Sequence, residues 1–230
     1  MELLSLRVLG ILAFIGALLY SVGDILLLAS KIKPDEYPNL KPFAKLLSGS
    51  EKMAVLSPAR MMWGALIGVF ATPLILLGFW QVYQGLSGMN AWATLTTFSL
   101  FASASIIGAF VHGSFFYLGE YVRALNNVSG NSREIIAGML ERHKKILMIT
   151  YAPLLIFVIA ASILFSVLVA SGKTAFPVWM AGVTPLTVVI VWLMGKRIPP
   201  RFIRDWTEGA GFSIAYMAFF ACTTITLWNG

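Results

Sequence analysis

An all-α, polytopic membrane protein is the predicted fold class: a compact bundle of six transmembrane helices forming one domain over residues 1–230, with both termini on the non-cytoplasmic side. Three observations predict it. Only 12% of residues are charged and 58% are hydrophobic, where soluble domains carry roughly 25% charged residues. Six apolar runs have the length of about 20 residues that crosses a hydrocarbon core of about 30 Å. Basic residues occupy alternate connections.

The runs cover residues 8–30, 61–86, 95–122, 146–171, 176–195 and 209–228. They are predicted to be helices because lipid satisfies no backbone donor, and a helix closes its own. The first run, from Arg7 to Ala29, exceeds a signal-peptide core and is followed by no small-x-small cleavage pattern, so it is read as a retained span.

Charge sets the orientation. Lys31, Lys33, Lys41, Lys45, Lys52 and Arg60 lie between spans one and two. Arg123, Arg133, Arg142, Lys144 and Lys145 lie between spans three and four. Lys196, Arg197, Arg201 and Arg204 lie between spans five and six. These are fifteen of the 17 basic residues, leaving Arg7 and Lys173 for the other side. By the positive-inside rule, segments 31–60, 123–145 and 196–204 are cytoplasmic, in what is read as a plasma (inner) membrane. All seven tryptophans fall near span ends, where an amphipathic ring sits at headgroup level. Membrane lipids are thus expected partners. The net charge of +7 follows this distribution and does not indicate nucleic acid.

The inner connections carry their own signals. Residues 43–56 and 132–145 read as amphipathic helices on the inner surface. Ser57-Pro58 reads as an N-cap with proline at the first helical position. Asn131 reads as a cap, with Glu134 reaching back to it. Pro73, Pro153 and Pro185 fall inside spans and are expected to kink them. Thr72-Pro73 and Thr184-Pro185 would hold corresponding places if the chain were an inverted three-plus-three repeat, and no other similarity between the halves supports one. Gly64 and Gly68 form a GxxxG, and Gly16 and Gly23 lie a heptad apart; all four read as close helix packing.

Ionisable groups within spans are costly, which makes them the candidates for chemistry. Asp24 lies about 10 Å above the inner end of span one, with Tyr20 one turn away. Span three carries a stripe of Ser105, Gly108, His112, Gly119, Glu120 and Arg123, which must face protein or a wet cavity. Arg60 opens span two, either snorkelling or serving as counter-ion to Asp24 or Glu120. Asp205 and Glu208 mark the inner mouth of span six, with Tyr216 two turns further in. Asp24, Glu120 and His112 are the candidate catalytic groups. Tyr20, Arg60, Phe116, Tyr117, Tyr121, Glu208 and Tyr216 are the candidate binding residues, with Phe115 as a further wall aromatic.

Other classes are disfavoured by what the chain lacks. It has no GxxxxGK[ST], HExxH, CxxC or histidine box. With two histidines and one cysteine, Cys222, neither a disulfide within the chain nor a tight transition-metal site is expected. No mid-span lysine suits a retinal Schiff base, and the arginines are not spaced as in a voltage sensor.

The acids cluster at the cytoplasmic third. That favours a pocket, open to the cytoplasmic side, that binds or acts on a hydrophobic small molecule (a lipid, isoprenoid or sterol-like compound) by acid–base chemistry without metal or cofactor. The alternative is a proton-coupled transporter or channel using the same acids as a relay, alone or as a homo-oligomer. A third reading gives the polar groups only a structural role.

The orientation is testable. On a Cys222→Ser background, a cysteine at Lys45 is expected to react with a membrane-impermeant maleimide only after permeabilisation. Labelling in intact cells would reverse the topology.

Overall fold

The computed structural model describes residues 5–32, 37–195, 198, 200 and 209–228. The described residues are helical and contain no strand. Among the described residues, seven α-helices follow in order: α1 (Leu6–Leu28), α2 (Ala44–Leu47), α3 (Pro58–Gly85), α4 (Ala91–Asn127), α5 (Asn131–Ala170), α6 (Pro185–Gly195) and α7 (Gly211–Thr226). Helices α1, α3, α4 and α5 are long and apolar enough to cross a membrane, whereas α6 and α7 are shorter apolar helices. Their outward faces carry large apolar side chains such as Phe70, Ile106, Phe110, Ile156 and Val167, all more than half exposed. Water would not tolerate so continuous an apolar surface; lipid does. The apolar helices point to a membrane-embedded protein.

The helices form a ring in which α1 packs on α3, α3 on α4, α4 on α5, α6 on α7 and α7 back on α1. The tightest seam joins α1 and α3. A Cβ on Gly16 would lie 2.8 Å from Leu74 Cβ, and one on Gly23 would lie 2.7 Å from the Gly64 carbonyl oxygen. These glycines, with Gly64 itself, let two backbones approach as small-residue motifs do in lipid.

Arg60 fastens that seam. Its Nε donates to Leu26 O at 2.9 Å, and its Nη2 donates to Ile25 O at 3.3 Å and Ala29 O at 2.8 Å. The last carbonyls of α1 have no intrahelical donor, and a guanidinium there also meets the negative end of the helix dipole. The expectation of a carboxylate counter-ion is thereby corrected: Arg60 serves carbonyls, because a planar fork of five donors fits a helix C-terminus.

Between α1 and α3 the chain does not form one amphipathic helix over 43–56. Helix α2 ends at Ser48 (φ 48°) and Gly49 (φ 92°), a left-handed pair that breaks the run. A 3₁₀ segment, Ser50–Val55, follows. Leu40, Leu47 and Met53 are fully buried in one cluster with Leu125 and Leu140 of α4 and α5. The stretch is therefore packed on those helices, and Lys144 donates its ammonium to the carbonyls of Leu46 and Leu47. The second amphipathic stretch, 132–145, is the beginning of the 40-residue α5. At 1.5 Å per residue α4 and α5 are about 55 and 60 Å long, well beyond a hydrocarbon core of about 30 Å. They extend together at the end holding the basic residues.

Two cap expectations divide. Ser57 Oγ accepts from Arg60 N at 3.2 Å, with Pro58 at the first helical position, as predicted. Asn131 is not a cap. Gly130 (φ 57°) holds that place without a side-chain bond, and Asn131 is the first helical residue. Pro73 and Pro153 lie inside helices, but Pro185 begins α6. Thr184 Oγ1 accepts from Thr187 N at 3.2 Å, and Thr187 Oγ1 accepts from Thr184 N at 2.9 Å, a reciprocal cap. The supposed repeat thus pairs a mid-helix proline with a helix start.

The segment before α6 descends beside α5 without being one helix. Ala175 N donates to Gly85 O at 3.0 Å, Ser166 Oγ to Ala181 O at 2.7 Å, and Leu186 N to Ser162 Oγ at 3.4 Å. Irregular backbone at this depth needs such internal partners.

The bundle has two unlike halves. Away from the basic end it is solid: Phe79, Phe101, Phe165, Phe219 and Phe220 are fully buried, with Phe79 stacked on Phe101 at 4.4 Å. Gln81, also fully buried, bridges three helices there, donating to Leu6 O at 2.9 Å and accepting from Thr223 Oγ1 at 3.3 Å. Towards the basic end the ring is hollow.

Arg60→Ala is expected to lower stability by about 2 kcal/mol, since charge-assisted bonds to three carbonyls are lost. The loss should appear as a lower melting temperature in detergent. Arg60→Lys should recover only part of it.

Candidate functional site

The hollow half encloses a cavity of about 250 Å³. Tyr20, Asp24 and Leu28 of α1, Ile75 of α3, Tyr151 and Leu154 of α5, and Phe212, Ser213 and Tyr216 of α7 line it. Helix α4 contributes the longest stretch, from Ala104 through Ser105, Gly108 and His112 to Phe115. Spacings of three and four residues place these on one helix face. Tyr216 lies against Phe79 at 5.6 Å, so the cavity ends where the phenyl layer begins.

Asp24 is the polar centre. Its side chain is 18% exposed. Ser213 Oγ donates to its Oδ2 at 2.7 Å, joining α7 to α1. Its Oδ1 lies 3.6 Å from His112 Nε2, close enough for electrostatic contact and too far for a hydrogen bond. Neither nitrogen of the buried His112 ring has a hydrogen-bond partner among the described residues. A buried, unsatisfied imidazole is unusual and costs stability.

The His112 ring fits only because two neighbours lack side chains. A Cβ on Gly23 would lie 3.0 Å from its Cε1, and one on Gly68 would lie 2.7 Å from its Cγ. Tyr20 closes the third side edge-on, with centroids 5.1 Å apart. The Tyr20 hydroxyl meets Thr72 Oγ1 at 2.6 Å, while Thr72 Oγ1 donates to Gly68 O at 3.2 Å. A threonine has one hydroxyl proton, so Tyr20 is the donor in that pair and keeps its oxygen lone pairs.

The predicted site residues therefore separate. Asp24, His112, Tyr20 and Tyr216 come together around the cavity, with Ser105, Gly108 and Phe115. Glu120 does not. It pairs with Arg123 at 3.1 Å on the surface, its side chain 40% exposed. The stripe on span three leaves the cavity at Gly119, which packs under Met61 and Met53. Phe116 contacts Tyr117, which is itself exposed, and Tyr121 stands against His143 at 5.5 Å; none of the three lines the cavity. Arg60 is committed to the end of α1. Asp205 and Glu208 lie outside the described residues.

Ser213, Tyr151 and Phe212 complete the site without having been singled out. Ser213 stands three residues before Tyr216, one turn along the same helix face, which is the sequence signal that existed for it. Tyr151 is the only tyrosine in its apolar run.

Ser213, Asp24 and His112 do not form a hydrolytic triad. In such a triad the imidazole lies between serine and carboxylate; here the carboxylate lies between serine and imidazole, so no imidazole faces the serine hydroxyl. The arrangement is suited to holding a proton or a polar group at the Asp24–His112 pair. No cluster of three or more metal-ligating side chains occurs among the described residues.

Fold and site define a helical, membrane-embedded protein with a carboxylate and an imidazole side by side on the wall of a mostly apolar cavity. The chain belongs to a family of unknown function, DUF6796, whose model matches residues 1–229. No curated protein and no solved structure matches it.

Gly68→Ala is expected to cost about 1–3 kcal/mol by overpacking the His112 ring. Gly108→Ala should be near neutral, because its Cβ would meet only Leu154 Cδ1 at 3.7 Å. Thermal unfolding of the two variants in one detergent checks the contrast.

Proposed function

We propose that this chain is a six-span membrane protein, both termini non-cytoplasmic, that binds a small hydrophobic molecule in the Asp24–His112 cavity and moves a proton to or from it. The cavity is reached from the cytoplasmic side. The observation that carries the reading is the approach of Asp24 Oδ1 to His112 Nε2, 3.6 Å, on the wall of an otherwise apolar cavity. Acid–base pairs in unliganded sites are often slightly long and tighten around the reacting group. Asp24 orients the imidazole that takes or gives the proton; Ser213 fixes the carboxylate from the far side. No metal or cofactor is part of this reading.

Six crossings are supported by the descent of residues 175–195 beside α5. The helical part, α6, gives about 16 Å and the 3₁₀ stretch Val178–Gly182 about 10 Å more. Together they approach the thickness of a hydrocarbon core. Helix α7 adds about 24 Å.

The size of the cavity narrows the ligand. It is slightly below the roughly 300–1,000 Å³ of drug-sized sites. That suits a body of about a dozen non-hydrogen atoms or the end of a longer chain, and not a whole sterol. The phenyl layer beyond Tyr216 favours binding and chemistry over passage through the bundle.

Mass spectrometry of the purified chain is expected to find a co-purifying small hydrophobic molecule. Gly108→Leu, which fills the cavity, should reduce its recovery at least tenfold while folding is retained. Equal recovery from both proteins, or flux of that molecule across proteoliposomes, would overturn the proposal, the second in favour of a transporter.

A further inference from the structure

We infer that the ligand of this cavity carries a positive charge: a protonated amine on a short apolar body. The inference rests on the cavity being a binding site and names the chemical class it takes.

The missing charge leads to it. A carboxylate can accept about four hydrogen bonds. Among the described residues, Asp24 receives one, from Ser213. Among the described residues no lysine or arginine side chain lines the cavity, and Arg60 is spent on three backbone carbonyls. A carboxylate within a span needs a counter-charge, and the described wall residues supply none apart from whatever proton His112 carries.

The remaining wall fits the same class. Tyr20, Phe115, Tyr151, Phe212 and Tyr216 line the same cavity as Asp24. The faces of aromatic rings are electronegative, and rings gathered around a carboxylate are how proteins hold ammonium groups. In its neutral form the unpartnered His112 ring adds a lone pair to accept an N–H. An anionic ligand would face Asp24 with no compensating donor set. A neutral alcohol would leave the charge unmet. Ile75, Ala104 and Leu154 provide the apolar floor for a short hydrocarbon body.

The test uses the full chain in nanodiscs and three probes of one shape: phenylbutylamine, phenylbutanol and phenylbutyrate. The amine is expected to bind at least tenfold more tightly than the alcohol, and the acid more weakly than either. Asp24→Asn should bring the amine down to the level of the alcohol. Tyr151→Leu, which keeps bulk and removes the ring, should weaken the amine several-fold more than the alcohol. Asp24→Glu should keep the preference for the amine. If native protein binds alcohol as well as amine, or if the advantage of the amine survives Asp24→Asn, the inference falls and the binding site stands. If none of the three binds, both fall. Should Asp24→Asn fail to fold, the ranking on native protein and the Tyr151→Leu result decide.

Discussion

Everything in the basic half depends on how closely α1 approaches α3. Gly16, Gly23 and Gly64 bring the two backbones together, and Arg60 holds the end of the seam by filling the open carbonyls of α1. Loosening that seam would release the His112 ring from the notch that Gly23 and Gly68 make for it. The position of Asp24 opposite His112 is therefore a consequence of backbone packing. In lipid such packing rests on shape, since the surrounding chains are as apolar as the helices themselves.

The contrast between the two halves of the bundle follows from side-chain volume. Five buried phenyl groups fill the layer around Phe79. In the next layers, Ala104, Ser105, Gly108 and Ser213 occupy positions where large residues would be needed to close the space. Small residues facing inward here create a void, whereas at the α1–α3 seam they remove one. The polar groups lie beside the void, where unmet hydrogen-bonding capacity can be used by a guest. Gln81, in the solid half, has its own partners and offers nothing to bind.

Much of this was legible in the sequence, because two costs are visible there. The cost of unpaired backbone in lipid marks the apolar helices, and the cost of buried charge marks Asp24 and His112. What the sequence hid was partnership between distant segments. Arg60 and Glu120 looked like members of one polar cluster by depth alone. The first turned to carbonyls, which no side-chain pattern reveals, and the second to its neighbour Arg123. Ser213 reaches Asp24 across 189 positions of chain, so only the fold discloses it. Pro185 was misplaced for a different reason: the Thr184–Thr187 cap that explains it was present, but an unbroken apolar run overrode that local signal.

Helices α4 and α5 continue without a break from the layer of His112 and Tyr151 to a tip where Leu40, Leu47 and Met53 are clasped against them. A helix is stiff over such a length, so a displacement of that tip would shift both walls of the cavity together.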